Sequence, residues 1–391
     1  MYQNQSLSTV TELMNEFATQ TGLLTNTNLP RRYLWTDAFA VCNFLGLYTQ
    51  TGEEKYRNLA LMLVNQVHNT LGRHRDDDSR MGWISGLDEK EGKAHPAMGG
   101  LRIGKKMNER NPSAQFDERL EWDRDGQYYH YLTKWMHALY QLSRITNDIS
   151  YNVWAIELAK TVHARFTYVP SPGSPKLMYW KMSIDLSRPL VQSMGQHDPL
   201  DGLIIYNQLQ MLLQDYPDIP QHLDLSYEIA EITDICRGKN WATDDPLGIG
   251  SLLCDAYKVA QMILRGFFKQ TDLLVTMLGS ALQGLESFDR MNPMKLPVDY
   301  RLAFRELGLS IGLRAVVMLQ KLVEENPDLF NEMYTLHTCI ESLTEFARLI
   351  ENIESFWLKT SNRESENWID HIDINRVMLA TSIAPDGYLK I

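Results

Sequence analysis

Cysteine is scarce: the four present (Cys42, Cys236, Cys254 and Cys339) include no CxxC pair, which excludes a disulfide framework and argues against a Cys-rich zinc site. Three of them sit inside apolar helical patterns, where a thiol behaves as a small hydrophobe. Basic runs are equally rare. The longest is GKK at 104–106, and with a formal net charge of −11 the chain offers no extended cationic surface to nucleic acid or to an anionic membrane. An uncharged or cationic ligand suits that balance better. No window approaches the roughly 18 apolar residues of a membrane span, and the start, MYQNQSLSTVTELMNEF, lacks a basic head followed by an apolar stretch. A soluble, cytoplasmic protein is expected. Also missing are GxSxG, a glycine loop ending in GK[ST], HExxH and a dinucleotide fingerprint, so neither a cofactor nor a metal is expected. The acidic triplet at 76–78 lies beside Arg73, Arg75 and Arg80, which neutralise it without a cation.

What the chain has in abundance is helical periodicity. In EEKYRNLALMLVNQVHNTL, Tyr56, Leu59, Leu63, Val67 and Leu71 form one apolar stripe backed by Glu53, Arg57, Asn58, Gln66 and Asn69. The stretch after Asp125 differs, because Tyr128, Tyr129, Tyr131, Leu132, Trp135, Met136, Leu139 and Leu142 leave only a narrow polar strip. A helix that is apolar nearly all round must be covered on both sides. Helices with one wet face are predicted near 6–21, 53–71, 148–167, 221–237, 269–286 and 328–358, and buried ones near 37–49, 126–145, 200–214, 246–264, 299–321 and 374–383. Six wet and six buried helices in alternation describe an all-α chain of helical hairpins. Irregular spacing and the lack of a recurring consensus argue against a solenoid.

Each buried helix is entered through an acid: Asp37, Asp125, Asp198 or Asp201, Asp245, Asp299 and Asp373. QHDPLDGLIIYNQL and TDDPLGIGSLLCDAY repeat Asp-Pro-Leu before a glycine, and proline in the first turn is a helix-start signal. In a ring of antiparallel hairpins those starts share one mouth. The alternation, the acidic Gly/Pro-containing entrances and an aromatic content of 10% with 9 Trp resemble the six-hairpin glycosidase-like superfamily, the (α/α)6 toroids. The resemblance spans the whole chain, 1–391, as a single domain. It implies a ligand site at the mouth formed by the buried-helix starts, a small carbohydrate substrate, and hydrolase, lyase or epimerase chemistry.

The longest connection, 72–124, interrupts the pattern just before Asp125. Connections of this length in a compact domain are usually functional. Trp83, Ile84, Leu101, Ile103, Phe116 and Trp122 predict an ordered flap or pocket wall, with a short hairpin at MGGLRIGKK. A lone Asp at a helix start needs no catalytic explanation, since capping contributes roughly 0.5–2 kcal/mol. Two groups exceed what a cap requires: Glu121 with Asp123 around Trp122, and His197, Asp198 and Asp201 within five positions.

Glycoside hydrolysis needs one protonated and one ionised carboxyl. The pair would come from Glu121 or Asp123 and from Asp37, Asp198 or Asp201. His130 and His197 offer a second chemistry, proton relay in an epimerase or isomerase. Trp35, Trp83, Trp122 and Tyr128 can stack on sugar faces, with Trp35 and Trp122 the better candidates, while Trp135 and Trp154 read as core. Arg102, Lys105, Lys106 and Lys134 can bind a substrate carboxylate or phosphate, and Asp245 completes the candidate binding set. A toroid that binds without turnover is the third reading.

Overall fold

The computed structural model describes residues 2–24, 30–216, 220–330 and 333–391, with side chains from residue 6 onward. The chain is all-α apart from two small antiparallel sheets. Its contacts divide it into two compact units, 18–238 and 1–17 with 239–391.

In the first unit, α1 (Tyr2–Gln20) ends and three helical hairpins follow: α2 (Leu34–Thr51) with α3 (Glu54–Leu71), α6 (Tyr129–Thr146) with α7 (Ser150–Phe166), and α8 (Asp198–Leu213) with α9 (Ser226–Cys236). Between α3 and α6 lie two short helices, α4 (Glu89–Ala94) and α5 (Glu118–Asp123). The first member of each hairpin is buried over almost its whole length and the second on one face, as the alternation predicts. α6 and α8 run parallel. His130 faces Asp198, Lys134 faces Asp201 and His137 faces Gln208, so both chains advance together along one seam. At the start of α2, Tyr33 meets Tyr131 of α6 through their hydroxyls, 2.8 Å apart. The three buried helices of this unit thus bring their N-termini to one end.

The second unit repeats the plan with α10 (Pro246–Leu264) and α11 (Thr271–Met291), then α12 (Ala303–Glu325), α13 (Pro327–Phe330), α14 (Tyr334–Thr344) and α15 (Arg348–Leu358). It closes with α16 (Thr360–Arg363), α17 (Glu366–Asp370), α18 (Ile372–Ile383) and α19 (Asp386–Leu389). Glu16, on the part of α1 belonging to this unit, pairs with Arg376 of α18 at 2.9 Å. The expected helix at 328–358 is broken into pieces, and residues 331–332 of it lie outside the described residues. α10 passes the length and apolarity test for a membrane span, contrary to the expectation that no window does, yet most of it is buried inside the protein. The C-terminal stretch packs back on this helix: Gln261 donates to Leu389 O at 2.9 Å and accepts from Ile391 N at 3.0 Å. Cys42, Cys236 and Cys254 are buried free thiols and Cys339 is half-buried.

Three sequence expectations change here. Among the described residues, MGGLRIGKK forms no hairpin, and its chain runs extended with its backbone bonded elsewhere: Arg102 N to Leu71 O, Ile103 N to Gly126 O, and Leu34 N to Ile103 O. Strands form instead after α7, where β2 (Thr167–Tyr168) pairs with β3 (Leu177–Met178), and β4 (Lys181–Met182) lies between β5 (Pro189–Val191) and β1 (Gln127–Tyr128). The acidic entrances are also not uniform caps. Asp245 is one, accepting from Gly248 N, but the cap position of α6 is Tyr128, whose side chain makes no capping bond, and Asp299 sits in a 3-10 turn before α12 begins at Ala303.

Candidate active site

The start of α6 is the centre of the site because β1 leads straight into it and β4 is hydrogen-bonded alongside, with Tyr128 opposite Lys181. Three aromatic side chains surround His130 in consequence, and two more extend the group. Tyr128 lies 5.4 Å away and Tyr131 4.8 Å away between ring centroids, and Trp180 lies nearly parallel to the imidazole at 6.4 Å. Trp122 extends the group, edge-on to Trp180 at 5.0 Å, and Tyr33 joins it through Tyr131. Burial pushes the Tyr33 phenol up to about 12 and raises those of Tyr128 and Tyr131, so all three stay protonated donors at neutral pH.

His130 Nδ1 points at Asp198, 3.6 Å from Oδ1. That is just too long for a hydrogen bond. Nδ1 and Asp198 Oδ2 are both buried and, among the described residues, have no hydrogen-bond partner. The Asp198 carboxylate sits so close over Gly195 that a Cβ there would lie 2.4 Å from Oδ1, so glycine is what lets the acid occupy this place. One turn further on, Lys134 Nζ meets Asp201 Oδ2 at 3.2 Å, both side chains buried. His197 is the cap residue of α8, half-buried beside Asp198.

The other expected acids are placed differently. Glu121 is buried with both oxygens taken, Oε1 by Lys181 Nζ at 3.0 Å and Oε2 by Arg110 Nε at 3.0 Å. Asp37 accepts from Tyr33 N at 2.9 Å and from Arg32 Nη1 at 3.4 Å, which fixes the first turn of α2. Asp123 is exposed at the end of α5. Asp245 belongs to the other unit, where Arg305 Nη1 holds it at 2.6 Å.

Among the expected sugar-binding groups, Tyr128 and Trp122 are in the aromatic frame, whereas three are structural. Trp35 is buried against Phe39, with ring centroids 4.4 Å apart. Trp83 is buried beneath Arg73, whose guanidinium lies 4.2 Å from the ring. Arg102 spends its donors on Thr70 O, Arg73 O and Asp125 Oδ2. The flap is ordered as expected, with Trp83, Ile84, Leu101 and Ile103 buried, but Phe116 and Trp122 are exposed. Its polar frame is an arginine lattice. Asp125 receives Arg75 and Arg102 together with Gly104 N, and Arg80 joins Asp78, Glu109 and Asp185.

Sequence reasoning missed Trp180, Lys181 and the role of Tyr33. Lys181 is fully buried and its ammonium donates to Glu121 O, Glu121 Oε1 and Arg124 O, three acceptors for three hydrogens. A turn signal was available at SPGSP (171–175), between RFTYV and KLMYW, and it marks the β2–β3 hairpin in which Tyr168 stacks on Tyr179 at 4.0 Å.

No family model matches the chain, and no curated protein matches it at a significant level. Solved structures similar to it over most of its length include two sugar-processing proteins. One is the cellobiose 2-epimerase of Bacillus thermoamylovorans B4167, 9% identical, TM-score 0.47, covering 90% of this chain and 87% of that one. The other is a sugar epimerase from a ruminal bacterium, 10% identical, TM-score 0.49, covering 96% and 98%.

Proposed function

We propose that the chain is a carbohydrate-active enzyme, a sugar epimerase or isomerase, with His130 as its acid/base group. The observation that carries this reading is His130 Nδ1, buried and unsatisfied among the described residues inside an aromatic frame, 3.6 Å from Oδ1 of an Asp198 whose Oδ2 is likewise unsatisfied. Buried polar atoms are rarely left without partners, and a small ring rotation closes the 3.6 Å gap. Catalytic hydrogen bonds are often long before substrate binds. With Nδ1–H held by Asp198, the lone pair on Nε2 is the base. It would take the proton from the carbon next to the carbonyl of an open-chain sugar, and the C–H electrons would move into the carbonyl to give an enediolate. Return of the proton to the opposite face gives the epimer, and its return to the former carbonyl carbon, with the neighbouring hydroxyl's proton passing to the first oxygen, gives the ketose. His197, next to Asp198 in sequence, would be the second group to act in that return, and Trp180, Trp122 and Tyr128 would supply the faces on which a pyranose ring stacks.

Paired-carboxylate hydrolysis is the weaker reading on this geometry. It needs a protonated and an ionised carboxyl free to act. Glu121, Asp37 and Asp201 are each held by a cation, which leaves Asp123 and Asp198. The test is solvent exchange. Incubated with glucose, mannose or cellobiose in D2O, the protein should introduce deuterium at C2, read by NMR, and His130→Gln should slow this by roughly 10²–10⁴-fold while the circular dichroism is unchanged. Exchange that survives in His130→Gln, or glycoside cleavage lost in Asp123→Asn, would sink the proposal.

A further inference from the structure

The flap presents one cation that nothing in the proton transfer uses. Lys105 is half-buried, and among the described residues its Nζ forms neither a hydrogen bond nor an ion pair. This contrasts with Lys134, Lys160, Lys176, Lys181 and Lys258, each of which has a carboxylate within 3.2 Å. A half-buried lysine without an acceptor loses hydration, and here only the Tyr33 ring and longer-range attraction to Asp123 and Asp125 offset that loss.

Its backbone, by contrast, is tightly held. Arg75 donates to Lys105 O at 2.6 Å and to Lys106 O at 2.8 Å, the Asp125 carboxylate receives the same arginine, and Ile103 O accepts from the first helical N–H of α2. The glycine before it is required: Gly104 has φ of 94° and a Cβ there would lie 2.2 Å from Arg32 O. The arginine lattice therefore fixes where Lys105 projects. Its ammonium lies 5.8 Å from the ring centroid of Tyr33, Tyr33 touches Tyr131, and Tyr131 touches His130. Asp123 and Asp125 act on it only at longer range, and desolvation still holds its pKa below the usual lysine value.

We infer that Lys105 is a specificity residue that binds a single anionic group, a carboxylate or a phosphate, on the sugar whose reacting end meets His130. This deepens the proposed function and rests on it for the identity of the reacting end. The net charge of −11 disfavours extended polyanions, which need many cations. One anionic group on a small molecule needs only one well-placed donor in a partly dehydrated site. Trp180 and Trp122 then lie along the sugar rather than at its charged end.

The test combines binding and exchange on the full chain. Calorimetric titration would compare glucuronate and glucose 6-phosphate with neutral glucose, for the wild type, Lys105→Met and Lys105→Arg. One of the two anions should bind wild type at least roughly tenfold tighter than glucose, and Lys105→Met should abolish that preference while Lys105→Arg keeps most of it. Whichever anion binds identifies carboxylate or phosphate as the group read. Equal affinity for neutral and anionic sugars, binding of neither anion, or an anion preference unchanged in Lys105→Met would overturn the inference. Deuterium exchange separates the two claims. Lys105-dependent anion binding with no exchange keeps this inference and removes the proton transfer, and exchange on neutral sugars indifferent to Lys105 does the reverse.

Discussion

In residues 18–238 the seam between two parallel buried helices, α6 and α8, is lined by ionisable side chains, whereas in residues 239–391 the seam between α10 and α12 is lined by glycine. A Cβ on Gly250 would stand 2.0 Å from Gly308 O, and one on Gly312 would stand 2.6 Å from the Gly250 backbone. Two buried acids of that second unit are also closed. Glu306 is held by Arg301 and by Trp357 Nε1, and Glu354 by Arg314, Ser310 and Ser382. Among the described residues, His130 and Asp198 each keep a buried atom with no hydrogen-bond partner. One helical plan therefore serves two ends. A buried charge whose partners are complete reads as architecture, and a buried histidine and acid held just short of each other are the place to test for a ligand.

That contrast breaks if satisfied charges near the site prove dispensable. Lys181 is the strictest case, since it lies beside Tyr128 yet its donors are all used. Lys181→Met leaves the buried Glu121 carboxylate short of a cation and should cost about 3–5 kcal/mol in urea unfolding. A normally stable variant would mean that the site half is not built as argued. The glycine seam is tested next. Gly250→Ala pushes a methyl into rigid backbone and should cost about 3 kcal/mol. Gly279→Ala, on α11 with nothing within 4 Å of the new Cβ, should stabilise by roughly 0.5–1 kcal/mol through helix propensity. Equal effects at the two positions would show that close approach is not what selects glycine on α10.

The helices were legible because burial on both sides leaves a different periodicity from burial on one, and α3 and α10 fall within a residue of their expected bounds. His130, Asp198, Trp122 and Tyr128 were legible as candidates by their positions at helix starts. Their partners were not. Trp180 immediately precedes, and Lys181 begins, a two-residue strand about 50 positions beyond Tyr128, and a strand that short carries no alternation to read. The fate of each acid was equally hidden, because whether Glu121 is a catalyst or half of an ion pair depends on Lys181 arriving from that strand. Asp125 looked like a cap by its place before α6, and only the folded flap brings Arg75 and Arg102 to it.

A second histidine sharpens the comparison within the site half itself. His68, on α3, is buried, accepts from Trp135 Nε1 at 3.1 Å, and lies 5.3 Å from Trp154 between ring centroids. Burial holds its pKa down at about 3. Unfolded, the same imidazole takes up a proton near pH 6.5, so between the two values the unfolded state binds more protons and stability rises with pH. The contribution is complete above the unfolded value and is lost as pH falls from about 6.5 toward 3. Between pH 7 and 5.5 the loss from this one group should be on the order of 1 kcal/mol. In His68→Gln, which keeps an acceptor for the indole, urea unfolding at the two pH values should differ by that much less than in wild type, and deuterium exchange should keep its dependence on His130. If instead His68→Gln abolished exchange and left the pH dependence of stability untouched, the buried histidine would belong with the site and the division between closed and open polar groups would fail.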